Sequence, residues 1–99
     1  MRLRFEDDDL RRLYVQADFR IATFSTELSR AFRKQLGALA NAADERDLYA
    51  LKSLHFEKLR GTRTGQSSIR LNRQWRLILR IETNDDGKLI VIIEIVDYH

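Results

Sequence analysis

The two halves of the chain carry different hydrophobic periods. In the first, Leu28, Ala31, Phe32, Leu36, Leu39 and Ala40 fall at offsets of 3, 4, 8, 11 and 12 from the first of them, the stripe of one helical face, while Arg30, Arg33 and Lys34 occupy the other. Ser25 or Thr26 caps this helix, and Glu27 sits near its positive N-terminal end. Upstream, Asp7 to Asp9 offer caps for a shorter helix carrying Leu10, Leu13 and Tyr14, and Asp18 to Phe24 breaks the helical spacing. Met1 to Phe5 alternates Leu3 and Phe5 with Arg2 and Arg4, as a short strand does. Asp44 to Leu51 predicts a further short helical turn with Leu48 and Leu51 inward.

The second half changes to a period of two. Ile69 and Leu71 alternate with Arg70 and Asn72, and Trp75, Leu77, Leu79 and Ile81 alternate with Arg76, Ile78, Arg80 and Glu82. The short connection Asn72 to Gln74 joins these runs as a hairpin, and Asn84-Asp85-Asp86-Gly87 supplies the turn into a last strand. That strand, Leu89 to Val96, is apolar on both faces, which places it inside the sheet, and Trp75 falls on the core face as packing. Arg70, Arg76 and Arg80 share the opposite face. Helices first and strands after give an α+β fold, two N-terminal helices packed on a three- to four-stranded antiparallel sheet. At 99 residues the expectation is one domain, 1–99, with a single core.

Composition narrows the function. Seven basic residues lie between Lys58 and Arg80 with no acid among them: Lys58, Arg60, Arg63, Arg70, Arg73, Arg76 and Arg80. Six are arginines, whose planar fork suits phosphate, so a polyanion is the expected partner. Without cysteine there is no disulfide or thiol chemistry, and nothing at the N-terminus reads as a signal peptide, so a cytoplasmic location is expected. The longest uncharged apolar run, Leu89 to Ile93, falls far short of the roughly 20 residues of a membrane span. Two histidines and scattered acids show no metal-ligand spacing, and no cofactor is expected. The last strand delivers Asp97-Tyr98-His99, a carboxylate, a phenol and an imidazole, which points to proton-transfer chemistry.

Three blocks resemble a known family. Leu59-Arg60-Gly61-Thr62-Arg63-Thr64-Gly65-Gln66, then Ser68-Ile69-Arg70-Leu71-Asn72-Arg73-Gln74-Trp75-Arg76, then Glu94-Ile95-Val96-Asp97-Tyr98-His99 resemble, in order and spacing, the HigB toxins of the RelE superfamily. The resemblance covers residues 51–99 well and the helical half in outline. It implies a RelE-like fold and a ribosome-dependent mRNA endonuclease, the toxin of a type II toxin-antitoxin pair. The implied partners are a helix-turn-helix, HigA-like antitoxin, the ribosome, mRNA and ribosomal RNA, with operator DNA reached only through the antitoxin. The implied reaction is metal-independent: a 2′-hydroxyl attacks the adjacent phosphate, leaving a 2′,3′-cyclic phosphate and a 5′-hydroxyl.

Carried over residue by residue, the resemblance assigns Arg76 to the transition-state charge on phosphate and Asp97 and His99 to proton transfer, with the choice of base and acid open. Tyr98 alternates away from its neighbours and is assigned to stacking on a base or packing under the site. His55 is a secondary catalytic candidate, because its interval to Leu59 is longer than the family form. Lys58, Arg60, Arg63, Arg70 and Arg73 are read as RNA phosphate contacts, with a salt bridge to Glu82 or Asp85 as the alternative for Arg70 and Arg73. Ser67 stands where relatives often carry an aromatic residue. Two other functions remain open: a non-catalytic antitoxin-binding regulator of the same fold, and a ParE-like gyrase inhibitor, against which the terminal histidine motif argues.

Overall fold

The computed structural model describes residues 1–97. Strand β1 (Arg2–Phe5) leads into α1 (Asp8–Val15), α2 (Thr26–Asn41) and α3 (Glu45–Ala50). A 3-10 turn at Lys52–Leu54 precedes β2 (Glu57–Lys58), a second such turn occupies Gly61–Arg63, and β3 (Ser67–Arg70), β4 (Trp75–Asn84) and β5 (Gly87–Asp97) follow. Each helix starts where an oxygen-bearing side chain takes an orphan amide: Asp7 accepts from the Leu10 N–H, Ser25 from Leu28 and Asp44 from Arg46. Of the two caps offered for α2, Ser25 is the one used.

The sheet has five strands in the order β1-β5-β4-β3-β2. β5 does lie inside it, flanked by β1 and β4. The departures from the expected antiparallel sheet are at its edges: β1, expected as a strand, runs parallel to β5, and the fifth member, β2, two residues long, pairs with β3 through Glu57 with Ser68 and Lys58 with Ser67. A two-residue strand has no period to read.

One face of the sheet receives the helices. Leu13, Leu28, Phe32, Leu36, Leu39, Leu48 and Leu54 pack with Ile69, Leu77, Leu79, Ile90 and Ile92, all nearly or fully buried, and Trp75 packs half-buried at the margin. Leu51 departs from its expected inward position. It is 41% exposed because α3 ends at Ala50, and Leu51 has left helical geometry at φ −81°, ψ 88°.

The β4–β5 hairpin closes through Asp85-Asp86, with Asn84 paired to Gly87, and Gly87 adopts φ 108°, open to glycine at little cost. Farther along, the register slips: Ile78 pairs with Glu94 but Leu79 pairs with Ile92, leaving Ile93 as a bulge. Strict alternation from Ile90 and Ile92 would turn Glu94 into the core. The extra residue instead brings Ile95 onto the Leu77 side and sends Glu94 to the other face, where its carboxylate lies 3.6 Å from Arg63.

Core packing predicts the mutational response. Phe32→Ala, at a fully buried position, is expected to lower unfolding free energy by about 3–5 kcal/mol in urea denaturation. Val15→Ala, at an exposed one, should change it by no more than about 0.5 kcal/mol.

Candidate active site on the open face of the sheet

The face away from the helices is built by strand register. Arg70 and Arg76 are direct Cα partners across β3 and β4, Ser68 pairs with Ile78, and Glu57 pairs with Ser68. Paired residues project to the same side, so two guanidinium groups, a hydroxyl and a carboxylate converge at one end of this face.

Arg76 is the best-held of them. It is only 7% exposed, and a buried cation is tolerated where hydrogen bonds and an opposite charge replace water. Its Nε donates to Ser68 Oγ at 2.9 Å, its Nη2 donates to the His55 carbonyl at 2.7 Å, and Glu57 Oε1 lies 3.7 Å away. His55 supplies that carbonyl from a left-handed conformation (φ 47°, ψ 48°) at the end of the 3-10 turn. Such geometry in a non-glycine residue costs on the order of 1–3 kcal/mol and persists where its surroundings hold it. Buried Leu54 and Phe56 anchor the chain on both sides, with Phe56 edge-on to Tyr49 at 4.9 Å between ring centroids.

The β3–β4 connection completes the wall. Asn72 Oδ1 accepts from the Gln74 and Trp75 amides at 2.9 and 2.8 Å, and Arg70 Nε donates to the Asn72 carbonyl at 3.2 Å. Asn72 is therefore a turn residue, as expected of the connection Asn72 to Gln74. His55, Arg70, Asn72, Arg73 and Arg76 enclose a hollow of about 170 Å³, in which three arginines and an imidazole-bearing residue meet.

The expected site residues thus divide. Arg76, Arg70, Arg73 and His55 come together at the hollow. Lys58 lines a different depression, with Glu45, Gln66 and Ser67; Arg60 is exposed; and Arg63 binds Gln66 Oε1 at 3.0 Å beside Glu94. Asp97 pairs with Trp75, whereas Arg76 pairs with Val96, so the carboxylate of Asp97 and the guanidinium of Arg76 start from opposite faces of the strand end. Asp97 Oδ2 accepts from Gln74 Nε2 at 3.0 Å. Tyr98 and His99 lie outside the described residues. Ser67 is buried on the core side, opposite Leu79.

Sequence reasoning passed over two residues. Glu57 belongs to the two-residue strand and gave no periodic signal. Gln35 is a polar residue inside the apolar stripe of α2, three after Phe32 and four before Leu39; it is 8% exposed and donates to the Ser53 and Arg70 carbonyls at 3.3 and 3.1 Å.

The same face changes character toward β1. Arg80 donates to Glu82 at 2.7 Å and to Glu6 at 3.0 Å, and Arg4 reaches Glu82 at 3.1 Å. The stretch without acids along the chain is therefore partly neutralised by acids outside it, Glu82 farther along β4 and Glu6 just after β1, and among the described residues the arginines of this face without an ion pair are Arg70 and Arg73. The hydrogen bond from Arg80, foremost, and the charge of Arg4 hold the Glu82 carboxyl below its ordinary value of 4.5.

Residues 3–99 match the HigB-like toxin family, described as the RelE-like toxin of the type II toxin-antitoxin system HigB. The chain belongs to that family. No curated protein sequence matches it. Among solved structures, it is similar to the YoeB/ParE toxin from Agrobacterium tumefaciens, at 15% identity over 100% of both chains and a TM-score of 0.56. It is also similar to the YoeB-YefM complex from Staphylococcus aureus, at 19% identity over 100% of this chain and 97% of that one, with a TM-score of 0.55. These likenesses show that the fold is RelE-like. HigB-like toxins are type II toxins, which act opposite an antitoxin, and the family's members are generally endoribonucleases. No helix among the described residues is long and apolar enough to cross a membrane.

The Arg80–Glu82 pair of this HigB-like chain sets a direction with pH. Because the folded carboxyl is the stronger acid, its contribution is complete above 4.5 and is lost as pH falls through the lowered folded value. Glu82→Gln is expected to lower the melting temperature slightly at neutral pH and to narrow the gap between neutral and acidic melts. An unchanged gap would remove Glu82 from the acid response.

Proposed function

We propose that this HigB-like toxin is a ribosome-dependent mRNA endonuclease that cleaves by attack of a ribose 2′-hydroxyl on the neighbouring phosphate. The bond from phosphorus to the 5′-oxygen breaks as the one to the 2′-oxygen forms. One proton leaves the 2′-hydroxyl, one reaches the departing 5′-oxygen, and nucleophile and leaving group both belong to the RNA. The protein then has to hold the phosphate, spread the charge gathering on its oxygens and exchange two protons.

The observation that carries this reading is the Arg70–Arg76 pair beside the His55–Arg73 wall. Arg76, fixed by Ser68 and the His55 carbonyl, is oriented before substrate arrives, and an oriented charge stabilises a transition state without reorganising. Arg70, the direct cross-strand partner of Arg76, joins it on the scissile phosphate, and Arg73 holds a flanking one. Glu57, at 3.7 Å from Arg76, joins His55, Asp97 and His99 as a proton-transfer candidate and is our choice for the group that takes the 2′-hydroxyl proton. Tyr98 keeps its assignment to stacking on a base or packing under the site. Lys58, Arg60 and Arg63 face ribosomal RNA, and the ribosome supplies the geometry of the mRNA. The antitoxin is proposed to be HigA-like, with a helix-turn-helix that carries the complex to operator DNA.

In a translating lysate with a defined mRNA, Arg76→Ala is expected to reduce cleavage by about 10²–10³-fold, the usual loss when one preorganised donor to a developing oxyanion is removed. Arg73→Ala should leave the saturated rate near wild type, weaken half-saturation and lower the slope of log affinity against log salt by about 1. Cutting by Arg76→Ala at the wild-type rate would contradict the proposal.

A further inference from the structure

The helical layer reaches the arginine face at one point. Gln35 stands on the stripe that packs α2 against the sheet, with Phe32 and Leu39 as its neighbours on that face, and all three are buried. A primary amide there costs several kcal/mol unless its N–H groups are satisfied, roughly 2–7 depending on the reference. The Gln35 Nε2 meets that demand with two backbone carbonyls, those of Ser53 and Arg70.

Those carbonyls belong to the two segments that wall the hollow. Ser53 lies in the 3-10 turn that His55 terminates, and Arg70 ends β3 directly across from Arg76. Between the turn and the end of β3 there is no ladder pairing: β2 begins only at Glu57 and pairs with Ser67 and Ser68. Gln35 bridges that gap from the core side. Arg76 bridges it from the open side, through the His55 carbonyl and Ser68 Oγ. One amide below and one guanidinium above therefore fix the spacing of the same two segments.

We infer that Gln35 is a positioning residue for the proposed nuclease site, acting through the Ser53–His55 turn to hold the Arg76 guanidinium in its orientation. It touches no substrate. Its loss frees the turn to move relative to β3, so the His55 carbonyl leaves its 2.7 Å contact and the guanidinium turns. Displacements of about 1 Å at such groups cost up to 10²-fold in rate.

The inference rests on the proposed nuclease reading for its rate consequence and stands apart from it for its structural one, so the test has two arms. The first follows the Arg76 Nε–H resonance by nitrogen-15 NMR. Gln35→Met keeps the length of the side chain and removes the donor; the resonance is expected to shift and to lose its protection from solvent exchange while the core amides keep theirs. Gln35→Glu is the second variant. Buried beside two carbonyls, its carboxyl favours the neutral form, whose single O–H can donate to one of them, so the resonance should lie nearer its wild-type position at low pH and move away as the carboxyl ionises. That variant decides the matter if Gln35→Met does not fold.

The second arm measures cleavage in the translating lysate. Gln35→Met is expected to lose about tenfold or more in the saturated rate with little change in half-saturation, and to lose nothing further in an Arg76→Ala background. An Arg76 resonance that is unchanged in Gln35→Met, and unchanged across pH in Gln35→Glu, would overturn the inference. A wild-type chain that does not cleave would overturn the nuclease reading alone, with the NMR arm still deciding the role of Gln35.

Discussion

A guanidinium held below the surface of the sheet is the contact on which the arrangement depends. Arg76 is 7% exposed, and a cation that far from water needs hydrogen bonds and an opposite charge supplied by the protein. Three separate segments meet that need: β3 with the Ser68 hydroxyl, the strained turn with the His55 carbonyl, and edge strand β2 with the Glu57 carboxylate. Each is short or irregular, and none is fixed by a long ladder. The arginine gathers them into one wall, and the core residues Leu54 and Phe56 and the Gln35 amide hold that wall from behind.

The rest of the sheet turns this local cluster into a directional surface. Toward β1, the cations are answered by Glu6 and Glu82, and in the middle Glu94 answers Arg63. At the Arg70–Arg73 end, the side chains line a hollow of about 170 Å³, an anion-scale space with arginines on its walls. The bulge at Ile93 contributes to the same division, since it puts Ile95 toward the helices and Glu94 among the cations. A positive site flanked by neutralised surface favours an anion at one place over a diffuse coat of counterions.

Much of this was legible in the sequence. The stripe from Leu28 to Leu39 gave α2, the alternation from Trp75 to Ile81 gave β4 and its two faces, and the three motif blocks pointed to the HigB-like family that residues 3–99 match. Arg70 and Arg76 were readable as one face because a hairpin turn fixes register. The bulge was not readable, since Leu89 to Val96 is apolar on both faces and a slip within it leaves no polar mark except Glu94. That slip decides that Asp97 pairs with Trp75, so strand parity alone did not predict its face. Glu57 was hidden by the brevity of β2. Gln35 did leave a mark, a polar side chain at an apolar position of a helix, but its two carbonyl partners are 18 and 35 residues away and only the folded chain brings them together.

In the proposed reaction, Arg70 and Arg76 together receive the phosphate that is cleaved. The most direct measurement is a structure of the wild-type protein bound to a translating ribosome whose mRNA carries 2′-O-methyl groups, so that the attacking hydroxyl is blocked. The scissile phosphate is expected within hydrogen-bond reach of both guanidinium groups, with Glu57 beside the methylated oxygen. Messenger RNA crossing another face of the molecule, with the hollow between His55 and Arg73 facing solvent, would contradict it.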